Sequence, residues 1–188
     1  MAEPIESSAS GADRASEMTD HALAERKRPG RGRAAAVFAG AVVLAAVAGA
    51  RVGPRPGTST QRWYASLRKP PFQPPPQVFA PAWTVLYSAL ALSGYRVWAS
   101  PDSARRTLAL RLWAGQIVAN AAWTPTFFGA QRPRAALGVL AAQLSSALAF
   151  TAVASGVDRP AGALMVPYVG WSTFAFGLNE EIVRRNRP

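Results

Sequence analysis

Between residues 78 and 184 the chain carries four long hydrophobic runs, each holding Trp, Tyr, Asn or Gln at helical spacing. The hydrocarbon core of a bilayer is about 30 Å thick and takes roughly 20 apolar residues per helix. Val78–Ala99, Leu108–Ala130, Ala135–Gly156 and Ala161–Val183 each reach that length, and a fifth run, Ala34–Ala50, is shorter and more uniformly apolar. A water-soluble domain of 188 residues would not separate so many apolar runs by so few charges. The pattern predicts an all-α membrane protein, a five-transmembrane-helix bundle over residues 34–186 with residues 187–188 as its C-terminal end. Its helices are expected at about 34–52, 78–99, 105–130, 134–156 and 160–184.

The mean hydropathy is close to zero, and the N-terminal segment is the reason. Residues 1–33 hold six acidic and six basic residues with almost no large apolar side chain, so they are expected to form a disordered charged tail. The other 155 residues hold 15 Arg and Lys against four acids, Asp102, Asp158, Glu180 and Glu181. The formal charge of +11 therefore sits on the membrane domain, at helix ends and in loops, where it meets anionic headgroups. The run Arg26–Arg33 also has the composition of a nucleic-acid arm. Its place beside an apolar span makes it a juxtamembrane run, and no nucleic-acid partner is expected. The same run followed by apolar residues ending Ala48-Gly49-Ala50 has the layout of a cleavable signal, but the apolar stretch of about 17 residues is long for a signal core. Arg and Lys near the membrane divide eight to ten between the two sides, which leaves the sidedness undetermined.

No cysteine is present, and the single histidine is His21, in the tail. Thiolate chemistry, iron–sulfur clusters and zinc catalysis are thereby excluded from the bundle. Haem would be left with Met165 or a tyrosine as axial ligand. No required cofactor and no metal site are expected.

Three helical faces concentrate rings and amides. Trp83, Tyr87, Leu90 and Gly94 share one face; Gln116, Asn120, Trp123 and Phe127 share a second; Pro167, Tyr168, Trp171, Ala175 and Asn179 form a third. Polar groups facing lipid are costly, so Gln116, Asn120 and Asn179 are expected to point inward, where amides also serve as interhelical hydrogen-bond partners. Trp98, Trp113 and Tyr95 suit the aromatic belt at the membrane interface, whereas Trp123 and Trp171 lie about ten residues into their spans. A cavity lined by Trp and Tyr with a few amides suits a large flat apolar ligand with polar edges; tetrapyrroles fit this better than sterols. Carboxylates on such a ligand would meet Arg62, Arg68 or Lys69 in the long proline-rich connection Gly53–Gln77, where Gln61–Leu67 has room for one or two helical turns.

These residues resemble a known family. Trp63-Tyr64-x-x-Leu67-x-Lys69-Pro70, Phe72-x-Pro74-Pro75 and Phe79-x-Pro81-x-Trp83-x-x-Leu86-Tyr87 resemble the first loop and second helix of the tryptophan-rich sensory protein/translocator protein family (TspO/MBR, peripheral benzodiazepine receptor). Gln116-x-x-x-Asn120-x-x-Trp123-x-x-x-Phe127-Phe128 resembles its third helix, and Pro167-Tyr168-x-x-Trp171-x-x-Phe174-Ala175-x-x-Leu178-Asn179 its fifth. The likeness runs from about residue 34 to 186 in order and spacing.

The resemblance implies a five-helix bundle, usually a homodimer, with a pocket under the first loop that binds porphyrins such as protoporphyrin IX and, in animal members, cholesterol. It maps that pocket onto Trp83, Tyr87, Asn120, Trp123, Trp171 and Ala175, with Trp63 in the covering loop; Tyr168, on the same stripe as Trp171, joins the ligand-binding set. Two departures stand out. Gln77 occupies a position where the family often has Trp, and the end of the fifth span lacks the Tyr of the cholesterol pattern. The tail of 33 residues is also longer than in the shortest members.

Three functions follow as expectations: a porphyrin-binding membrane sensor, carrier or scavenger; an enzyme that degrades porphyrin with light or redox chemistry; and a sterol, lipid or small-molecule transporter. No acid–base pair lies in the bundle, which weighs against hydrolytic catalysis and leaves an enzymatic role uncertain. Five helices without a two-repeat architecture or an intramembrane charge pair weigh against a coupled transporter. The expected setting is the membrane of a bacterial cell, with membrane lipid as the surrounding partner.

Overall fold

The computed structural model describes residues 30–187, and every regular element in that range is helical. Expectations for residues 1–29, including His21 and the first half of the Arg26–Arg33 run, lie outside the described residues. The elements are α1 (Arg31–Val52), α2 (Ser59–Ser66), α3 (Pro76–Ala99), α4 (Ala104–Thr124), a π-helical turn (Pro125–Gly129), α5 (Pro133–Ser155), α6 (Arg159–Leu164) and α7 (Val166–Arg185). Four helical stretches are long and apolar enough to cross a membrane: Arg31–Val52, Pro76–Ala99, Pro133–Ser155 and Arg159–Arg185. Helix α4 has spanning length at 21 residues but is more polar, because it carries Arg105, Arg106 and Arg111 besides Gln116 and Asn120.

The helix starts are written in the sequence. Pro76 and Pro133 open α3 and α5 at the first turn, where a missing N–H costs nothing. Ser103 Oγ accepts from Arg106 N–H at 3.1 Å to cap α4, and Asp158 Oδ1 accepts from Ala161 N–H at 2.8 Å to cap α6. The two-turn helix α2 is capped by Thr58, whose hydroxyl oxygen accepts from Gln61 N–H at 3.2 Å, while Gln61 Oε1 accepts from Gly57 N–H at 2.9 Å. Gly57 sits at φ 81°, a conformation that a side chain would disfavour.

Two expected helices are not continuous. Pro125 has no N–H to donate, and the ladder widens there into a π turn closed by Ala130 N–H to Pro125 O at 2.8 Å. The fifth expected span breaks at Met165 into α6 and α7, because Pro167 cannot continue the backbone ladder across that point.

The core draws on α3, α4, α5, α6 and α7, with α5 packed against α4, α6 and α7, and Phe38 and Val42 of α1 join it. Trp113 corrects a prediction: instead of sitting in an interfacial belt it is only 6% exposed. Its indole N–H donates to Leu90 O at 2.9 Å, and Phe38 packs edge-on at 4.7 Å between ring centroids. Gly94 makes room for it, since a Cβ there would stand 2.5 Å from the indole nitrogen and 2.8 Å from Phe38. Tyr95 and Trp98 are half-buried and stacked on each other at 5.9 Å.

Candidate functional site

Four helices place polar side chains on one point inside the bundle. The Tyr87 hydroxyl on α3 donates to Asn120 Oδ1 on α4 at 2.8 Å. Asn120 Nδ2 donates in turn to the Tyr168 hydroxyl oxygen on α7 at 3.3 Å. Gln143 Nε2, from α5, donates to the same oxygen at 2.9 Å and, more weakly, to Ser172 Oγ at 3.4 Å. Tyr168 is fully buried, and Asn120, Gln143 and Ser172 are nearly so. Such a network fixes the mutual rotation of the helices, because each partner left alone in an apolar interior would cost free energy.

Rings surround this node in two groups. Trp83 lies 5.0 Å from Tyr87, 6.4 Å from Tyr168 and 6.3 Å from Trp171, measured between centroids. Trp123 stacks on Phe127 at 5.1 Å, and Trp63 meets Phe127 edge-on at 5.6 Å. Tyr64 caps Phe128 at 5.3 Å. The two groups touch through Phe79, 5.9 Å from Trp171, and through Phe174, 5.6 Å from Trp171. Trp63, Trp83, Tyr87, Trp123, Trp171 and Ala175 are all half-buried rather than sealed in the core. Offset and edge-on ring pairs of this kind present several π faces and edges at once.

The structure thus brings Trp83, Tyr87, Asn120, Tyr168 and Trp171 together. It sets Trp63 and Trp123 in the neighbouring group, with Trp63 over Phe127 and not over Trp83. Ala175 lies one turn beyond Trp171 on α7. The indole N–H of Trp123 donates to Asn179 Oδ1 at 3.3 Å, and Asn179 Nδ2 donates to Pro133 O at 2.9 Å. Pro133 leads to a cleft of about 380 Å³ at the end of the bundle, lined by Arg132, Pro133, Arg134, Ala135, Val183 and Asn186. None of the predicted ligand-binding residues lines it.

Of the cations expected to meet a carboxylate, Lys69 is engaged elsewhere. Lys69 Nζ lies 4.5 Å over the Tyr64 ring and within 3.4 Å of the Ala65 and Leu67 carbonyls. Burial pushes the Tyr64 phenol above its ordinary 10.0, against a smaller opposing effect of its hydrogen bond with Gln73, so it stays neutral at physiological pH. Gln116 is fully buried, as expected, yet neither amide atom finds a hydrogen-bond partner among the described residues. Met165, the sulfur available to an iron, is fully buried at the α6–α7 joint. Gln143 escaped the sequence reading. Its signal is a lone amide amid the apolar residues of α5, on the strip that also holds Leu140 and Ala147.

The model of the TspO/MBR family matches residues 40–185. The chain belongs to the TspO/MBR family. The Translocator protein of Bos taurus is 39% identical over 128 residues, covering 67% of this chain and 76% of that protein. The Tryptophan-rich sensory protein of Cereibacter sphaeroides is 39% identical over 124 residues, covering 66% and 77%. The human Translocator protein is 38% identical over 127 residues, covering 66% and 75%. Within this TspO/MBR chain the described residues hold no cluster of three or more His, Cys, Asp or Glu side chains that could bind a metal.

Proposed function

We propose that this TspO/MBR protein binds porphyrin or a related tetrapyrrole on its aromatic groups and acts as a membrane sensor, carrier or scavenger. The observation that carries the reading is the connected set Trp83, Tyr87, Asn120, Tyr168 and Trp171, in which half-buried rings border a hydrogen-bonded polar node. A flat macrocycle gains ring contact over such a surface, and its polar edge finds amide and phenol groups nearby. Protoporphyrin IX is the proposed ligand. The finer architecture belongs to the same proposal: α4 is the fifth span, since Arg105 and Arg106 lie in its first turn, Arg111 is exposed eight residues from the same end, and its amides face inward. A homodimer in a bacterial cell membrane, surrounded by lipid, is the proposed setting.

Titration of the purified protein with protoporphyrin IX tests this. Quenching of Trp fluorescence with a micromolar or tighter Kd is expected; no quenching at tens of micromolar, weaker than about 6–7 kcal/mol of binding, contradicts it. The same titration in darkness and in light separates binder from degrading enzyme. Loss of the porphyrin absorption bands under illumination, with turnover, would favour the enzyme, in which case the chemistry would be photochemical or redox and carried by the indoles.

A further inference from the structure

The segment 53–75, which carries Trp63, is tied to the rest of the chain by two kinds of contact. The first is aromatic: Trp63 and Tyr64 on Phe127 and Phe128, and Phe72 on Phe174 at 6.3 Å. Such contacts are weakly directional and allow sliding. The second is polar and comes from one residue near the far end of the chain. Arg68 N–H donates to Asn186 Oδ1 at 2.9 Å, and Asn186 Nδ2 donates back to Arg68 O at 3.0 Å. Among the described residues, every other side-chain hydrogen bond of this segment stays within it or reaches back only to Ala50.

An asparagine amide offers a donor and an acceptor side by side, as a peptide unit does. Asn186 therefore pairs with Arg68 as one rung of a β-ladder would. Its side chain is held in place by the helix it follows, because Nδ2 also donates to Ile182 O at 2.8 Å, one of the last carbonyls of α7. Asn186 is half-buried and borders the cleft beside Arg132 and Arg134, so water can compete for both bonds.

We infer that Asn186 is a latch. It holds the segment carrying Trp63 down on the ring group at the end of the bundle, and breaking its two bonds to Arg68 frees the segment to lift. Lifting uncovers Phe127 and Trp123 and opens a way to the neighbouring group of Trp83 and Trp171. The latch stands on its own geometry; its role as a gate for ligand rests on the binding reading proposed above.

Limited trypsin digestion of the full chain in detergent tests the latch without any ligand. Asn186→Leu keeps the shape and removes both bonds; Asn186→Asp keeps the acceptor for Arg68 N–H. Two hydrogen bonds of ordinary net strength shift an opening equilibrium by about tenfold. Cleavage after Arg68 should rise by about tenfold in Asn186→Leu and by less in Asn186→Asp. Cleavage after Arg106, in α4 at the opposite end, should stay at the parent rate. Equal rates at Arg68, or a parallel rise at Arg106 from general loosening, overturn the latch. Stopped-flow mixing with protoporphyrin IX then tests the gate, where association and dissociation should both quicken in Asn186→Leu. Faster proteolysis with unchanged porphyrin rates overturns the gate and leaves the latch. If the parent protein binds no protoporphyrin, the binding reading fails and the gate with it, while digestion still decides the latch.

Discussion

At the end of the bundle where α3 finishes and α4 and α6 begin, Arg96 reaches both carboxylate oxygens of Asp158, at 3.1 and 3.0 Å. There Arg106 pairs with Asp102 and donates twice to Trp98 O, and the Ser93 hydroxyl donates to Ala161 O at 2.7 Å. At the opposite end, where the segment 53–75, the π turn and the end of α7 meet, rings do the packing. Arg62, Arg132 and Arg134 make no ion pair there among the described residues. The first end reads as a scaffold in which charges and caps reinforce one another. The second leaves rings half-exposed and Arg62, Arg132 and Arg134 without an ion pair, although Arg184 and Arg185 pair with Glu181 at the end of α7, so three cations and several ring faces stay open to a ligand.

The largest expected effect lies in the scaffold. Gly94→Ala places a Cβ 2.5 Å from the Trp113 indole nitrogen and 2.8 Å from Phe38, both buried. Overpacking of this kind costs about 1–3 kcal/mol, and the melting temperature in detergent should fall by several degrees. An unchanged melting temperature would mean that the scaffold end is as yielding as the aromatic end, and the contrast would fail.

Next is Asp158. Burial alone would raise its carboxyl, but hydrogen bonds from Arg96 and from Ala161 N–H, with the Arg96 charge, outweigh this and hold it below its ordinary 3.8. A lowered carboxylate stabilises the fold fully above its ordinary value and loses that contribution as pH falls through the lowered one. Asp158→Ala removes both the cap and the ion pair and should cost about 1–2 kcal/mol at neutral pH. Asp158→Asn keeps a capping oxygen, should cost less, and should flatten the acid limb of a melting-temperature profile. An identical acid limb in parent and Asn variant would remove Asp158 from the account.

At the aromatic end the expected effect shifts from stability to affinity. Ala175 follows Trp171 by one turn, and a larger side chain there would crowd the ring face. Ala175→Thr should weaken protoporphyrin binding by about tenfold, or 1.4 kcal/mol, with the melting temperature and oligomer unchanged. A large loss of stability at constant affinity would make Ala175 a packing residue and move it to the scaffold side of the comparison.

Much of this was legible in the sequence because lipid imposes a simple rule: long apolar runs become helices, and their amides turn inward. Asn120, Tyr87 and Tyr168 stood out on helical faces by their spacing, the family resemblance mapped the first two onto a pocket, and α2 was signalled by the proline-free stretch Gln61–Leu67. The belt reading of Trp113 failed because a ring near a helix end has two destinations, and only the partner surface at Gly94 and Leu90 decides between them. The π turn and the break at Met165 were missed because proline signals an interruption without giving the register that follows. Asn186 was invisible for a different reason. Its partner is a peptide group 118 residues away, and a backbone leaves no trace of its identity in a side-chain pattern.

The smallest expected effect on stability is at Gln116, and it sharpens the comparison most. Gln116 is fully buried, one turn before Asn120 on the same face of α4, and neither of its amide atoms has a hydrogen-bond partner among the described residues. An unpaired buried amide costs about 1–3 kcal/mol, so an apolar side chain of similar volume should be tolerated. Gln116→Leu is accordingly expected to leave the melting temperature unchanged or slightly higher. If the amide is kept for recognition, porphyrin affinity should fall by about fivefold, close to 1 kcal/mol, in the same variant. That pairing of outcomes would extend the permissive, ligand-facing character of the aromatic end inward along α4 to the depth of Gln116. A lower melting temperature with unchanged affinity would show instead that Gln116 is bonded in the folded protein, through water or a partner helix, and would return it to the scaffold.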